Sequence, residues 1–329
     1  MRGCGILVLG GVLIALLDSS PAAAEALGGS LSELSVPAKQ QPPSKVRRSA
    51  DKGDEKNDDG KNDKDDKTDT EDIFGFTSGT DIGSIGDKGI DSESTGRLGK
   101  RDGSYLAAIQ KLEFGYTPAR SFQFTLGASL AYHDVANVTG LEDRTQLTFE
   151  GLSFEAKFRL VERELSGIGV TFIVEPSWAR IDDTSGEPAV KFGSEFKLAA
   201  DAELVKDRIY AALNLLYEPE REHILATDEV EKESTFGLFS ALAFQMSKGV
   251  FFGGEVRYLE KFEGLTFGRR KGDAVFAGPT FYAKLSERVW IAAAWNVQLA
   301  GRSTEHPDQR LDLDHFSRHE ARLKAGFDF

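Results

Sequence analysis

Phe122-Gln123-Phe124-Thr125-Leu126-Gly127-Ala128-Ser129-Leu130-Ala131-Tyr132-His133 decides the fold. Phe122, Phe124, Leu126, Ala128, Leu130 and Tyr132 alternate with Gln123, Thr125, Gly127, Ser129 and His133. A period of two sends successive side chains to opposite faces of a strand. The same alternation runs through Val190–Leu204 and Leu152–Leu160. It recurs around 105–116, 168–180, 209–218, 235–246, 250–259, 275–285, 289–300 and 313–329. Two of these stretches break the pattern: Gln110 falls on the apolar face of its strand, and Trp290 on the polar face of its own.

The connections set the topology. Thr117–Ser121, Val205–Arg208, Ser247–Gly249 and Ser286–Arg288 read as tight turns, with Val161–Gly167 somewhat longer. Between them lie longer polar links at Asp134–Thr145, Ile181–Pro188, Pro219–Glu233, Glu260–Gly272 and Gly301–Asp312. Such alternation of short and long connections belongs to a transmembrane barrel, with short inner turns and longer outer loops. The pattern counts eleven strands, and single-chain bacterial barrels use even numbers. Gly89–Leu98, with Ile90, Gly96 and Leu98 on its apolar face, supplies the twelfth through the turn Gly99-Lys100-Arg101-Asp102-Gly103. The expected fold is an all-β, twelve-stranded, up-and-down antiparallel transmembrane barrel over 88–329.

Composition agrees. Forty bases against 53 acids leave a net charge of −13, which argues against electrostatic binding of nucleic acid. Cys4 is the sole cysteine, so disulfide frameworks and thiolate metal sites are excluded. Mean hydropathy is −0.31, and no apolar run reaches the roughly 18–20 residues of a membrane-crossing helix. A barrel hides its hydrophobicity by alternation and escapes that test.

The N-terminus reads as an export signal over 1–24. Arg2 precedes the apolar run Ile6–Leu17, then come Pro21 and Ala22-Ala23-Ala24, with cleavage expected after Ala24 or Ala26. Cys4 lies ahead of the apolar core, where a lipidated cysteine would come after it. Residues 25–87 read as a disordered acidic periplasmic tether and lead-in. Asp51–Asp72 alone holds eleven acids and five lysines, too polar to offset its ordering entropy. Glu55, Asn57, Asp59, Gly60 and Asp66 echo a calcium loop without its first and last ligands, and are read as a solvated charge run. The tether is expected to leave the lumen without a plug, and it offers a surface for a periplasmic partner.

Parity assigns faces. Tyr132, Trp178, Tyr217 and Tyr258 fall on the lipid side at the outer rim; Tyr116, Phe122, Phe158, Phe244, Phe252, Phe327 and Phe329 do so at the inner rim. These form two aromatic girdles at headgroup depth. The expected lumen side carries the acids Glu113, Glu155, Glu175, Glu195, Asp201, Glu203, Glu218, Glu255, Glu320 and Asp328. Its bases are Lys111, Lys157, Arg159, Lys191, Lys197, Arg257, Lys284, Arg318, Arg322 and Lys324. Dry burial of such charges costs several kcal/mol per ion, so the interior is expected to be wet, knitted into ion pairs, or both.

The last strand ends Lys324-Ala325-Gly326-Phe327-Asp328-Phe329, which resembles the C-terminal signal that outer-membrane barrels present to their assembly machinery. Gly253-Gly254-Glu255-Val256-Arg257-Tyr258-Leu259 and Gly278-Pro279-Thr280-Phe281-Tyr282-Ala283-Lys284-Leu285, with Trp290 and Trp295 beyond, resemble the outer-membrane proteins grouped with meta-pathway phenol degradation. The resemblance implies the bacterial outer membrane, reached by Sec-type export, and a lipid bilayer as the first partner.

Three functional classes remain. A narrow passive channel or transporter for small solutes fits the polar, charge-balanced lumen. A structural or anchoring barrel would use the tether. A lipid hydrolase would need a serine and a histidine on the lipid face, where His319 shares its facing with Ser92 and Ser94. The motifs GxSxG, HExxH and the P-loop do not occur. His133, His223, His306, His315 and His319 lack metal-ligand spacing, so neither catalysis nor a cofactor nor a metal is expected.

Overall fold

The computed structural model describes residues 68–329; the predicted signal peptide and most of the predicted tether lie outside them. Twelve strands run in chain order: β1 (Lys88–Leu98), β2 (Ser104–Ala119), β3 (Phe122–Ala136), β4 (Arg144–Val161), β5 (Ile168–Ile181), β6 (Pro188–Val205), β7 (Ile209–Ile224), β8 (Glu229–Ser247), β9 (Val250–Glu263), β10 (Arg270–Lys284), β11 (Val289–Ser303) and β12 (His319–Asp328). Among the described residues the one helix is a single turn, α1 (Arg163–Ser166), between β4 and β5. Every strand pairs antiparallel with its sequence neighbour, and β1 closes on β12 from Gly89 opposite Asp328 to Leu98 opposite His319. The barrel has no free edge.

Burial is inverted relative to a protein packed around an apolar core. Leu126, Leu152 and Leu213 are each about half exposed (52%, 52% and 51%), whereas Asp201, Asn214 and Glu255 are 3%, 0% and 3% exposed. The alternation therefore turns its apolar set outward, as lipid requires. One extra residue in β4, between Phe149 and Gly151 opposite Leu130 and Ser129, shifts the register without moving the apolar face.

Both ends of the barrel strands, Lys88 and Asp328, lie at the end that holds the connections 120–121, 162–167, 206–208, 248–249 and 285–288, the turn end. The opposite, loop end holds 99–103, 137–143, 182–187, 225–228, 264–269 and 304–318. Two expectations change. The link expected at Pro219–Glu233 is mostly strand, because β7 and β8 stay paired from Pro219–Ser234 out to Ile224–Glu229. The last strand begins at His319 rather than 313; Leu313 and Phe316 point inward from a loop that folds over the lumen. Arg318, expected on that strand, is exposed just ahead of it, and its N–H donates to the Gly99 carbonyl.

At the turn end Phe122 packs on Phe158 with ring centroids 5.1 Å apart, and Phe327 on Phe329 at 6.1 Å. Phe244 is opposite Phe252, and Tyr116 opposite Lys88, in register. Nearer the loop end Tyr217 packs on Phe196 at 6.1 Å and on Phe267 at 4.9 Å. Trp178 pairs with Phe192, Tyr132 with Leu147 and Tyr258 with Leu238 in the ladder.

Candidate functional site

The lumen is not empty, which corrects the expectation of a plug-free interior. Residues 68–87, the expected lead-in, fold into the turn-end half of the barrel. Some of their hydrogen bonds are internal, as from Thr70 to Asp81 and from the Gly79 N–H to the Glu71 carbonyl, and many run to the wall. Asp201 on β6 accepts from the Thr70 hydroxyl (2.5 Å), the Thr80 N–H (3.0 Å) and the Thr80 hydroxyl (2.7 Å). Glu255 on β9 accepts from the N–H groups of Phe76 (3.1 Å) and Thr77 (2.9 Å) and from the Thr77 hydroxyl (2.9 Å). Asn214 on β7 accepts from the Ser78 N–H at 2.7 Å and donates to the Ser78 carbonyl at 2.9 Å. A buried segment without ladder partners must satisfy its backbone somehow, and polar wall side chains supply the partners.

Charge pairs add to these. Lys157 meets Glu71 at 2.5 Å, Lys324 meets Asp72 at 2.9 Å, and Arg163 on α1 bridges Asp81 (2.6 Å) and Asp201 (2.9 Å). Arg322 donates to the Gly75 carbonyl at 2.7 Å. The Arg257 guanidinium lies 4.0 Å from the Phe76 ring centre. At the tip, Ile73 and Phe74 (1% and 0% exposed) enter an apolar pocket of Tyr210, Phe251, Tyr282 and Trp290 with Ala212, Ala241, Ala243 and Ala292. Gly75 has φ +85°, and a Cβ there would come within 2.7 Å of Thr280 and 2.8 Å of Glu255, so the turn admits glycine alone.

The loop-end half is closed differently. Phe316, from 304–318, packs edge-on against Phe276 at 6.2 Å and joins Leu216, Phe239, Leu259 and Ala274. Lys100 donates to the carbonyls of Asp314 and Phe316. From the 182–187 loop, Asp183 pairs with Arg97 and with Lys191 (3.3 Å), and the Thr184 carbonyl accepts from the Tyr105 hydroxyl (3.0 Å). Burial alone would raise the Asp183 carboxyl; Lys191 and Arg97 outweigh it and hold it well below the usual carboxylate range.

The sequence-derived lumen residues divide into two groups. Lys111 joins Glu175 (2.5 Å) and Glu113 (2.9 Å), Lys157 joins Glu155 (3.4 Å), Lys197 joins Glu195 (2.7 Å) and Arg257 joins Glu320 (2.5 Å). Lys191 joins Glu220 at 2.7 Å beside Glu218. These make ladders across the wall. Arg159, Glu203, Lys284 and Asp328 are not in the ladders: Arg159 donates to the Arg120 carbonyl, Glu203 accepts from Tyr210 at 2.9 Å, and Lys284 and Asp328 are exposed at the turn-end rim. Sequence reasoning missed Asp91, Glu93 and Arg97 on β1, where Glu93 pairs with Arg322 (2.7 Å) and Asp91 with Lys324 (3.7 Å). Their own alternation with Ile90, Ser92, Ser94 and Gly96 was the available signal.

The serines and the histidine of the hydrolase reading are not brought together. Ser92 and Ser94 spend their hydroxyls on Gln110, and His319 sits opposite Leu98 with its ring on Trp295. Among the described residues Glu305, His306 and Asp314 hold their ligand atoms within 4.8 Å of one another. Arg101 already bonds Asp314 at 2.9 Å and lies against the His306 ring, so a cation is in place without a metal.

A family model described as "Family of unknown function (DUF6662)" matches residues 66–329. The chain belongs to this family. No curated protein matches its sequence. Of solved structures, the COG4313 outer membrane channel from Pseudomonas putida F1 is similar, with a TM-score of 0.56 at 10% identity over 76% of this chain and 98% of that one. The β domain of the Bordetella autotransporter BrkA gives 0.48 at 12% identity, over 74% and 100%. The KdgM porin bound to oligogalacturonate gives 0.43 at 11%, over 73% and 99%. At these identities the first likeness is one of fold: this DUF6662 chain shares the closed barrel of that channel.

Proposed function

We propose that this DUF6662 protein is an outer-membrane channel for small polar solutes, held closed in the state described. One observation carries the reading: beside its two apolar clusters, the inward face of the wall carries ion pairs and hydrogen-bonding side chains toward both ends, where apolar packing would fill a merely structural barrel more stably. Lys157–Glu155 lies toward the turn end, Lys111–Glu175 at mid-height, and Arg97–Asp183 and Lys191–Glu220 toward the loop end. The turn end then faces the periplasm, the chain arrives by signal-directed export, and the C-terminal strand is offered to the assembly machinery. The resemblance of 253–259 and 278–285 to the phenol-degradation group supports the channel class and names no solute.

The occupied lumen favours a second reading, an anchoring barrel whose tether binds a periplasmic partner. Recording from the refolded mature chain in planar bilayers separates the two. A channel gives discrete conductance steps that respond to loosening of the 68–87 segment; an anchor stays silent whatever is done to it.

A further inference from the structure

We propose that residues 68–87 form a removable gate, and that the pore they vacate prefers small carboxylate anions. The second half rests on the channel reading above; the first does not.

Topology permits withdrawal. The segment enters and leaves at the same end: the Thr68 carbonyl accepts from Arg163 on the turn between β4 and β5, and Lys88 opens β1 at that end as well. Within the described residues 68–87 nothing is threaded, so this stretch can back out without breaking the barrel.

The wall is also built to survive its loss. Each cation that touches the segment keeps an acidic neighbour on the barrel itself: Lys157 has Glu155, Arg163 has Asp201, Lys197 has Glu195, Arg257 has Glu320, Arg322 has Glu93 and Lys324 has Asp91. Glu255 keeps the Asn296 amide at 2.7 Å. Departure of the segment therefore strands no buried cation, which is a usual reason such a plug would be permanent.

Charge sets the preference of the vacated pore. Residues 68–87 carry five carboxylates (Asp69, Glu71, Asp72, Asp81, Asp87) and no base. For two lysines the segment holds the nearer partner: Lys157 is 2.5 Å from Glu71 against 3.4 Å from Glu155, and Lys324 is 2.9 Å from Asp72 against 3.7 Å from Asp91. Opening removes these closer counter-ions from the ammonium groups on β4 and β12, leaving each only its more distant acidic neighbour, and positive charge freed in this way in a pore lining favours anions. The carboxylates of the gate occupy the places that a carboxylate solute would take.

Ala294 supplies the readout. It is 6% exposed, and its Cβ is 3.0 Å from where a Cβ on Gly75 would stand, so the seated segment covers it. The sequence has no cysteine beyond Cys4, so Ala294→Cys in the full mature chain is a single reporter. Phe74→Asp should loosen the tip, with Phe74→Ala as the milder companion and heat-modifiable gel mobility as the check on folding. In vesicles, a water-soluble thiol reagent should label Ala294→Cys at least tenfold faster when either Phe74 change is present. Under a KCl gradient the opened channels should reverse on the chloride side, and Lys157→Gln with Lys324→Gln should abolish that preference while conductance persists. Unchanged labelling in folded variants overturns the gate. Faster labelling with cation preference, or with preference indifferent to the two lysines, overturns the anion assignment. Faster labelling with no conductance in any variant defeats the channel reading and its selectivity, and leaves a removable plug.

Discussion

The two halves of the lumen are closed by different means. At the turn end a separate segment is held through its backbone by wall carboxylates, with Phe74 fully buried in an aromatic pocket. At the loop end, the 182–187 and 304–318 connections bend inward, each fixed at both ends by strands of the barrel. A loop fixed at both ends can only swing, and its closure costs little entropy once the barrel exists. The inserted segment must instead recover the ordering of a whole stretch of chain, and its numerous directional bonds and buried ring reflect that larger demand. The inner closure is therefore a seat that is either filled or vacant, and the outer one a cover that varies in degree.

The strongest way to break this comparison is at Phe74. Phe74→Ala removes a fully buried ring and should weaken seating by about 3–5 kcal/mol, read as lost hydrogen-exchange protection across 70–80. If the loop-end amides lose protection equally, the halves are one cooperative unit and the contrast fails. Both halves share a face assignment, which Phe196 and Lys197 test. Phe196 packs on Tyr217 outside, and Lys197 meets Glu195 and Ser78 inside. Phe196→Lys should cost roughly 2–4 kcal/mol in a denaturant titration in vesicles, and Lys197→Gln less. The reverse order would mean the faces are exchanged.

The outer cover is sharpened by Asp183→Asn, which weakens two charged contacts and should cost roughly 1–3 kcal/mol, confined to the loop end. The smallest effect is that of pH on the same residue. Its carboxyl is depressed in the folded state, so its contribution is complete above an unfolded pKa of about 3.9 and fades as pH falls through the lower folded value. The gap in denaturation midpoint between wild type and Asp183→Asn should hold from neutrality to about pH 4 and shrink below it. A gap that closes already near pH 6 would assign the effect to other groups.

Strands were legible because lipid outside and charge inside impose a strict period of two over ten or more residues. Even β1 showed it through Ile90, Gly96 and Leu98. The start of β12 was misread because Leu311 and Leu313 alternate with Asp312 and Asp314 as a strand would, yet Leu313 and Phe316 are buried from a loop. The plug had no period to read: 68–87 is rich in Gly and Thr and finds its partners across the barrel. Its imprint was visible on the other side. Trp290, out of place on a polar face, is where the chain receives Phe74. Gln110, out of place on the lipid face, spends its amide on Ser92 and on the Glu93 carbonyl.

The docking partners of the segment have a further bearing on how the chain is made. Thr70 is bound to a residue 131 positions later, Gly75 to one 247 later and Asp72 to one 252 later. Contacts this distant in sequence form late, because loop closure precedes their reward. The first part of the described chain to be synthesised is then the last to find its place, after β12 has met β1. A nascent barrel passes through a vacant stage, and seating of Phe74 marks the end of assembly.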